Sequence, residues 1–174
     1  SSRPWEAQAD ARKGRAMHGT LICGVTDTDD GRDALELALE LSERLALRLV
    51  LVHVADGIGA TSGNPEDGYE SVTMRNDRMG AARLLTRLAA EYGITDSAER
   101  REAVGDPAAM LGRIAAEEAG DLIVVGSRPR GRFWRGLESG LAEELETASA
   151  VPVVIAPPRA REPRTAIAGS SARR

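Results

Sequence analysis

Asp121-Leu122-Ile123-Val124-Val125-Gly126 is the stretch on which the reading of the chain turns. Its four apolar residues, three of them β-branched, are too few for a helix and show no polar alternation, so both faces of the segment need cover. That is the pattern of a parallel strand packed between helices. The glycine that ends it opens a loop running through Ser127, Arg128, Pro129, Arg130 and Gly131 to Ser139 and Gly140, and from there Leu141, Leu145 and Ala148 recur at helical spacing.

Working outward, Leu21 to Val25 and Leu49 to Val54 repeat the buried-strand pattern. Val151 to Ala156 includes Pro152, which has no N–H for a ladder and belongs at a strand start or a sheet edge. Ala98 to Val104 holds Glu99, Arg100, Arg101 and Glu102, tolerable only where one side meets solvent, and is expected at the opposite edge. Between the strands, Ala34, Leu35, Ala38, Leu41 and Leu45 form one helical stripe and Met74, Ala81, Leu85, Leu88 and Tyr92 another. A third, Met110, Leu111, Ile114 and Ala115, follows Asp106 as a cap and Pro107 as a first helical residue.

Strands and helices alternate throughout. Right-handed crossovers then predict an α/β, doubly wound, mainly parallel five-stranded sheet in the order 3-2-1-4-5, with helices on both faces. The winding changes sense between strands one and four, which opens a crevice beyond their carboxyl ends where ligands are expected. Asp56 to Glu70, with four glycines and Pro65, is long for a connection and reads as a functional or disordered loop.

The 174 residues, 42% of them hydrophobic, suit one domain with a real core. Residues 19–156 are read as that domain, and 1–18 and 157–174 as flexible extensions, the second rich in Pro and Arg. Subtracting the +2 of the first extension and the +4 of the second from the overall net charge of -4 leaves -10 for the domain. Such a balance opposes phosphate backbones, so nucleic acid is not expected as a partner. The single cysteine, Cys23, excludes an intramolecular disulfide and reads as a small buried apolar group. Ser1 to His18 lacks the apolar stretch of a signal peptide and no apolar run approaches membrane-spanning length, so a cytoplasmic location and no membrane association are expected.

The crevice would be lined by Thr26, Asp27 and Thr28 after strand one, by Val54 at the end of strand two, and by Val125, Gly126, Ser127, Arg128, Arg130, Gly131, Ser139, Gly140 and Leu141 around the loop after strand four. Arg128, Arg130, Arg132 and Arg135 place positive charge in that loop, which suits a phosphate or carboxylate and equally suits a solvated surface. Asp27, Asp29 and Asp30 read as helix caps, with Mg²⁺ ligation the alternative. His18 and His53 are isolated and make neither a metal site nor a base. Phe133 and Trp134 would stack on a base or anchor the loop. No nucleophile-base constellation is present, so no metal site, catalytic residue or enzymatic activity is read from the sequence.

Taken in order, Cys23-Gly24-Val25, Leu51-Val52-His53-Val54, Gly105-Asp106-Pro107-Ala108, Asp121 to Arg128 and Val151-Pro152-Val153-Val154-Ile155 resemble the universal stress protein family over residues 20–156. Nucleotide-binding members close strand one with Asp and carry Gly-x-x-Gly, nine residues, then Gly and Ser or Thr after strand four. Here Gly126 and Gly140 match the first and third glycines. Pro129 replaces the second, one residue lengthens the spacing, Leu141 replaces the hydroxyl residue, and Thr26 stands at the Asp position. Pro129 has neither positive φ nor an N–H to offer a phosphate, although Gly131 and Ser139 lie near enough to substitute if the loop shifts register.

The resemblance therefore implies a cytoplasmic stress-response or regulatory protein, a homodimer joined through Val151 to Ala156 with an unidentified protein partner, whose binding of ATP with Mg²⁺ is weak or lost. The alternative is an ATP-binding sensor or slow ATPase using the crevice. A flavin carrier on a similar sheet is disfavoured, because the short acidic loop after strand one would repel its phosphate.

Overall fold

The computed structural model describes residues 19–55, 72–127 and 141–160. Its elements are β1 (Gly19–Gly24), α1 (Asp29–Arg44), β2 (Leu47–Ala55), α2 (Val72–Glu91), β3 (Ala98–Val104), α3 (Pro107–Glu117), β4 (Leu122–Gly126), α4 (Leu141–Ala148) and β5 (Val153–Ala156). The strands form one sheet in the order β3-β2-β1-β4-β5, and every pairing is parallel. The doubly wound architecture expected from the alternating pattern is the one observed.

Alternation along each strand divides the core in two. Leu21, Cys23, Leu49 and Leu51 face α1 and α2, against Ala34, Leu35, Ala38, Leu85 and Leu88. Ile22, Val50, Val52 and Ile123 face α3 and α4, against Leu111, Ile114, Ala115 and Leu145. Each large side chain fully buried this way contributes about 1.5–3 kcal/mol, so the central strands, buried on both faces, anchor the sheet. Burial also pushes the Cys23 thiol up, which keeps it neutral and unreactive in the folded chain.

The edges differ chemically. In β3 the outward residues are charged, and Glu99 and Arg101 enter ion pairs with Arg48 and with Glu117 and Glu118. In β5 the strand begins just after Pro152, whose carbonyl accepts from Ile123 N at 2.9 Å, so the missing proline N–H interrupts nothing. Ile155 is 47% exposed.

Two details depart from the sequence reading. Leu45 is the C-cap of α1 and lies exposed, because the chain leaves the helix there and Ala46 turns into the left-handed region at φ 54°. Tyr92 lies just past the end of α2, half-buried, and its hydroxyl donates to Glu36 Oε1 of α1 at 3.1 Å. The Met74 side chain, the loop from Asp56 to Glu70 and residues 1–18 and 161–174 lie outside the described residues. Of the region beyond β5, residues 157–160 are described and run against α1, where Arg159 N donates to Asp33 Oδ2 at 3.2 Å. No helix among the described residues is long and apolar enough to cross a membrane.

Candidate functional site

β1 hands over to α1 through Val25 to Thr28. Val25 N still donates to Val52 O at 2.8 Å, so pairing with β2 runs one residue past the strand. The carbonyl of Val25 accepts from His53 Nδ1 at 2.7 Å, and since a carbonyl only accepts, this contact fixes the proton on Nδ1. His53 thus pins the turn from which Thr26 projects, a role that its place among valines did not reveal.

Thr28, not an aspartate, caps α1: its Oγ1 accepts from Gly31 N at 3.2 Å. The expectation that Asp27, Asp29 or Asp30 would cap is corrected accordingly. Asp29 and Asp30 sit in the first turn, where negative charge suits the helix dipole. Thr26 Oγ1 lies 2.7 Å from Thr28 Oγ1, a hydroxyl pair that closes the turn on itself. A side chain at Gly31 would run into the backbone and hydroxyl of Thr26, so this glycine is required by the turn's close approach.

Asp27 faces the other way, toward α2. Its carboxylate meets Arg87 Nη2 at 2.6 Å and Arg32 Nη1 at 3.4 Å. The hydrogen bond from Arg87 holds the Asp27 carboxyl below the usual carboxylate range, outweighing the opposing effect of burial, and the charges of Arg87 and Arg32 add to it. A cavity of about 370 Å³ adjoins it, lined by Asp27, Gly80, Arg83, Leu84 and Arg87.

β4 ends beside this turn. A Cβ on Gly126 would stand 2.6 Å from the Asp30 carbonyl oxygen, so the end of β4 and the first turn of α1 are in direct backbone contact. Thr26 and Gly126 therefore share one end of the sheet, on the two sides of the change in winding. Ser127 follows, and its Oγ is one of two buried side-chain polar atoms that find no hydrogen-bond partner among the described residues.

The structure thus gathers Thr26, Thr28, Val125, Gly126 and Ser127 at one end. Val125 packs in the core under α3 and α4, and Val54 leans on the same cluster from the end of β2. Leu141 opens α4, its side chain outside the described residues, as are Arg128, Arg130, Gly131, Ser139 and Gly140. A second cavity, of about 520 Å³, lies where α3 and α4 begin and is lined by Asp106, Ala108, Ala109, Glu143, Glu144, Thr147 and Ala148. Its three carboxylates oppose an anion at the amino end of α4. Among the described residues no cluster of three or more His, Cys, Asp or Glu side chains is placed to hold a metal ion.

With the sheet order and the crevice in place, the family model of the universal stress protein family matches residues 17–157. The chain belongs to the universal stress protein family. Among solved structures it is similar to the universal stress protein UspA from Lactobacillus plantarum, 14% identical, covering 82% of this chain and 100% of that one at a TM-score of 0.57. A universal stress protein solved in complex with cAMP is 18% identical, with 83% and 100% covered and a TM-score of 0.60. A protein of the same family from Burkholderia pseudomallei is 25% identical, with 83% and 99% covered and a TM-score of 0.57. No curated protein matches the chain. Within the universal stress protein fold, the Asp121 carboxylate accepts from Thr20 N at 2.8 Å and its own N–H donates to Thr20 O, which locks β4 to β1 at the end away from the crevice.

Proposed function

We propose that this universal stress protein is a cytoplasmic stress-response or regulatory protein, that it acts as a homodimer joined through β5, and that nucleotide binding in its crevice is weak or lost. The observation that carries the reading is the commitment of the turn after β1. The Thr26 and Thr28 hydroxyls are paired with each other, Thr28 also caps the amino end of α1, and the Asp27 carboxylate is engaged by Arg87 of α2 and Arg32 of α1. These bonds engage the groups of the turn within the protein, so a ribose or base would have to compete with them.

The remaining residues fit a nucleotide poorly. The space against the Gly126 α-carbon is filled by the Asp30 carbonyl rather than left for a phosphate. Pro129 has no N–H and Leu141 no hydroxyl. Glu143 and Glu144 already satisfy the positive end of α4. Homodimerisation is supported by β5, whose outer edge has no mate among the described residues and whose Ile155 is exposed, as an apolar edge strand requires cover.

One observation favours a second reading, a nucleotide sensor. The Ser127 hydroxyl is buried and unpartnered at the mouth of the crevice, and a relative of the same fold was solved with cAMP. Calorimetric titration with ATP and Mg²⁺, and with cAMP, separates the two. No heat at millimolar ligand is expected. Micromolar binding that is lost in Ser127→Ala would overturn the first reading in favour of the second. Sedimentation as a strict monomer would remove the homodimer.

A further inference from the structure

One flank of α1 carries Asp33, Glu36 and Glu40, whose spacing places them within an arc of about 60° of the helix. Three like charges on one stripe repel each other, so the face needs cations. The residues just beyond β5 supply one. The backbone N–H of Arg159 donates to Asp33 Oδ2 at 3.2 Å, and Asp33 is only 3% exposed. The guanidinium of the same residue reaches Glu36 Oε2 and Glu40 Oε2, each at 3.4 Å.

The carboxylates are held for this grip. Glu36 Oε1 accepts from the Tyr92 hydroxyl at 3.1 Å, and Glu40 Oε1 pairs with Arg44 at 2.8 Å, so each presents its second oxygen outward. The arrangement reads two features at once: a backbone N–H, through Asp33, and a planar guanidinium, through two carboxylates one helical turn apart. A lysine would offer one point of charge where the site has two acceptors.

We propose that this face of α1 is a recognition surface for an arginine carried on an extended polypeptide segment, that the chain's own residues 157–160 mask it, and that an extended arginine-bearing segment of a partner protein binds there by displacing them. Exchange is built into the energetics. The Arg159, Glu36 and Glu40 side chains are about one-third to two-fifths exposed, and ion pairs of that exposure are individually weak and screened by salt. The chain's own segment closes because Ala156, buried in β5 opposite Gly126, tethers it at high effective concentration. A partner that adds contacts elsewhere on the protein competes on equal terms.

The test uses the full chain. A synthetic peptide of residues 157–164 is titrated into ¹⁵N-labelled wild type and Arg159→Ala, with backbone NMR shifts as the readout. In Arg159→Ala the peptide is expected to shift the amides around Asp33, Glu36 and Glu40 with millimolar affinity, and to bind wild type about tenfold more weakly because the tethered segment competes. Adding Glu36→Gln and Glu40→Gln to Arg159→Ala is expected to weaken binding by about tenfold. A peptide with alanine in place of its first arginine is expected to leave the spectrum unchanged. Equal binding to wild type and Arg159→Ala, or equal binding by the alanine peptide, would overturn the proposal. So would Arg159 signals that change with wild-type concentration, since a second copy would then be filling the site.

Discussion

At the amino end of the sheet, Arg48 at the start of β2 reaches Glu99 of β3 at 2.7 Å and Glu118 beyond α3 at 3.0 Å, and Arg101 joins Glu118 and Glu117. At the carboxyl end, backbone meets backbone: Gly126 against the Asp30 carbonyl, Gly31 against Thr26. Long charged side chains span gaps and adjust when a neighbour changes. A glycine wedged against a carbonyl has no such slack, because the clash falls on backbone that the sheet and α1 both fix. The amino end therefore relies on interactions that can be weakened by degrees, whereas the carboxyl end adds to the Asp27 ion pairs backbone contacts that either fit or do not, and the site-forming loops lie there.

The sharpest way to break that contrast is Gly126→Val. Its side chain would demand room that Asp30 occupies, and overpacking of this kind costs about 3 kcal/mol, read as a lower urea midpoint at unchanged slope. A stable Gly126→Val protein would mean that the carboxyl end gives way after all. The same variant is consequently a poor probe of nucleotide binding, since lost binding would follow from lost structure.

Glu118→Ala should come next. The side chain is 13% exposed and serves both Arg48 and Arg101, so its removal leaves two guanidinium groups, 32% and 39% exposed, short of a partner. A loss of about 2 kcal/mol is expected in chemical denaturation, smaller in high salt as the remaining charges are screened. A loss matching that of Gly126→Val would erase the distinction between the ends.

How much of this was legible beforehand follows from how local each cause is. β1, β2 and β4 announce themselves because strands buried on both faces must be apolar at successive positions. β3 and β5 reveal their places at the edges through charge and through Pro152. Topology alone places the residues read as the candidate site at one end of the sheet, where Thr26, Thr28, Val125, Gly126 and Ser127 lie. The wiring of that site was not legible. Asp27 looks like a cap in the sequence, and its partner Arg87 lies on another helix, a pairing that no spacing encodes. Gly126 reads as a phosphate-approach glycine, yet the steric demand on it comes from Asp30. Leu45 extends the α1 stripe by one turn on paper, but the helix has ended there.

Asp27→Asn tests the carboxyl end more gently. Its pairs with Arg87 and Arg32 are exposed, so about 0.5 kcal/mol at neutral pH is the expected loss. Folding lowers the Asp27 pKa, so the stabilisation is complete above the unfolded-state value of about 4 and disappears as pH falls through the lower folded value. Wild type and variant should thus differ at pH 7 and converge in the acid range. A difference that persisted at low pH would point to packing rather than charge.

Ser127→Ala is the smallest change and the most discriminating. A buried hydroxyl without a partner contributes desolvation cost and no bond, so its removal should leave stability unchanged or raise it by about 0.5 kcal/mol. Thr28 and Asp27 at this end are bonded within the protein, so their deletion is expected to lose stability. A loss on Ser127→Ala would mean that the hydroxyl serves the fold as Thr28 does. A gain in stability would mark Ser127 as a polar group of the described crevice residues whose place is not explained by folding, and therefore the position at which any residual ligand contact in the crevice should be sought.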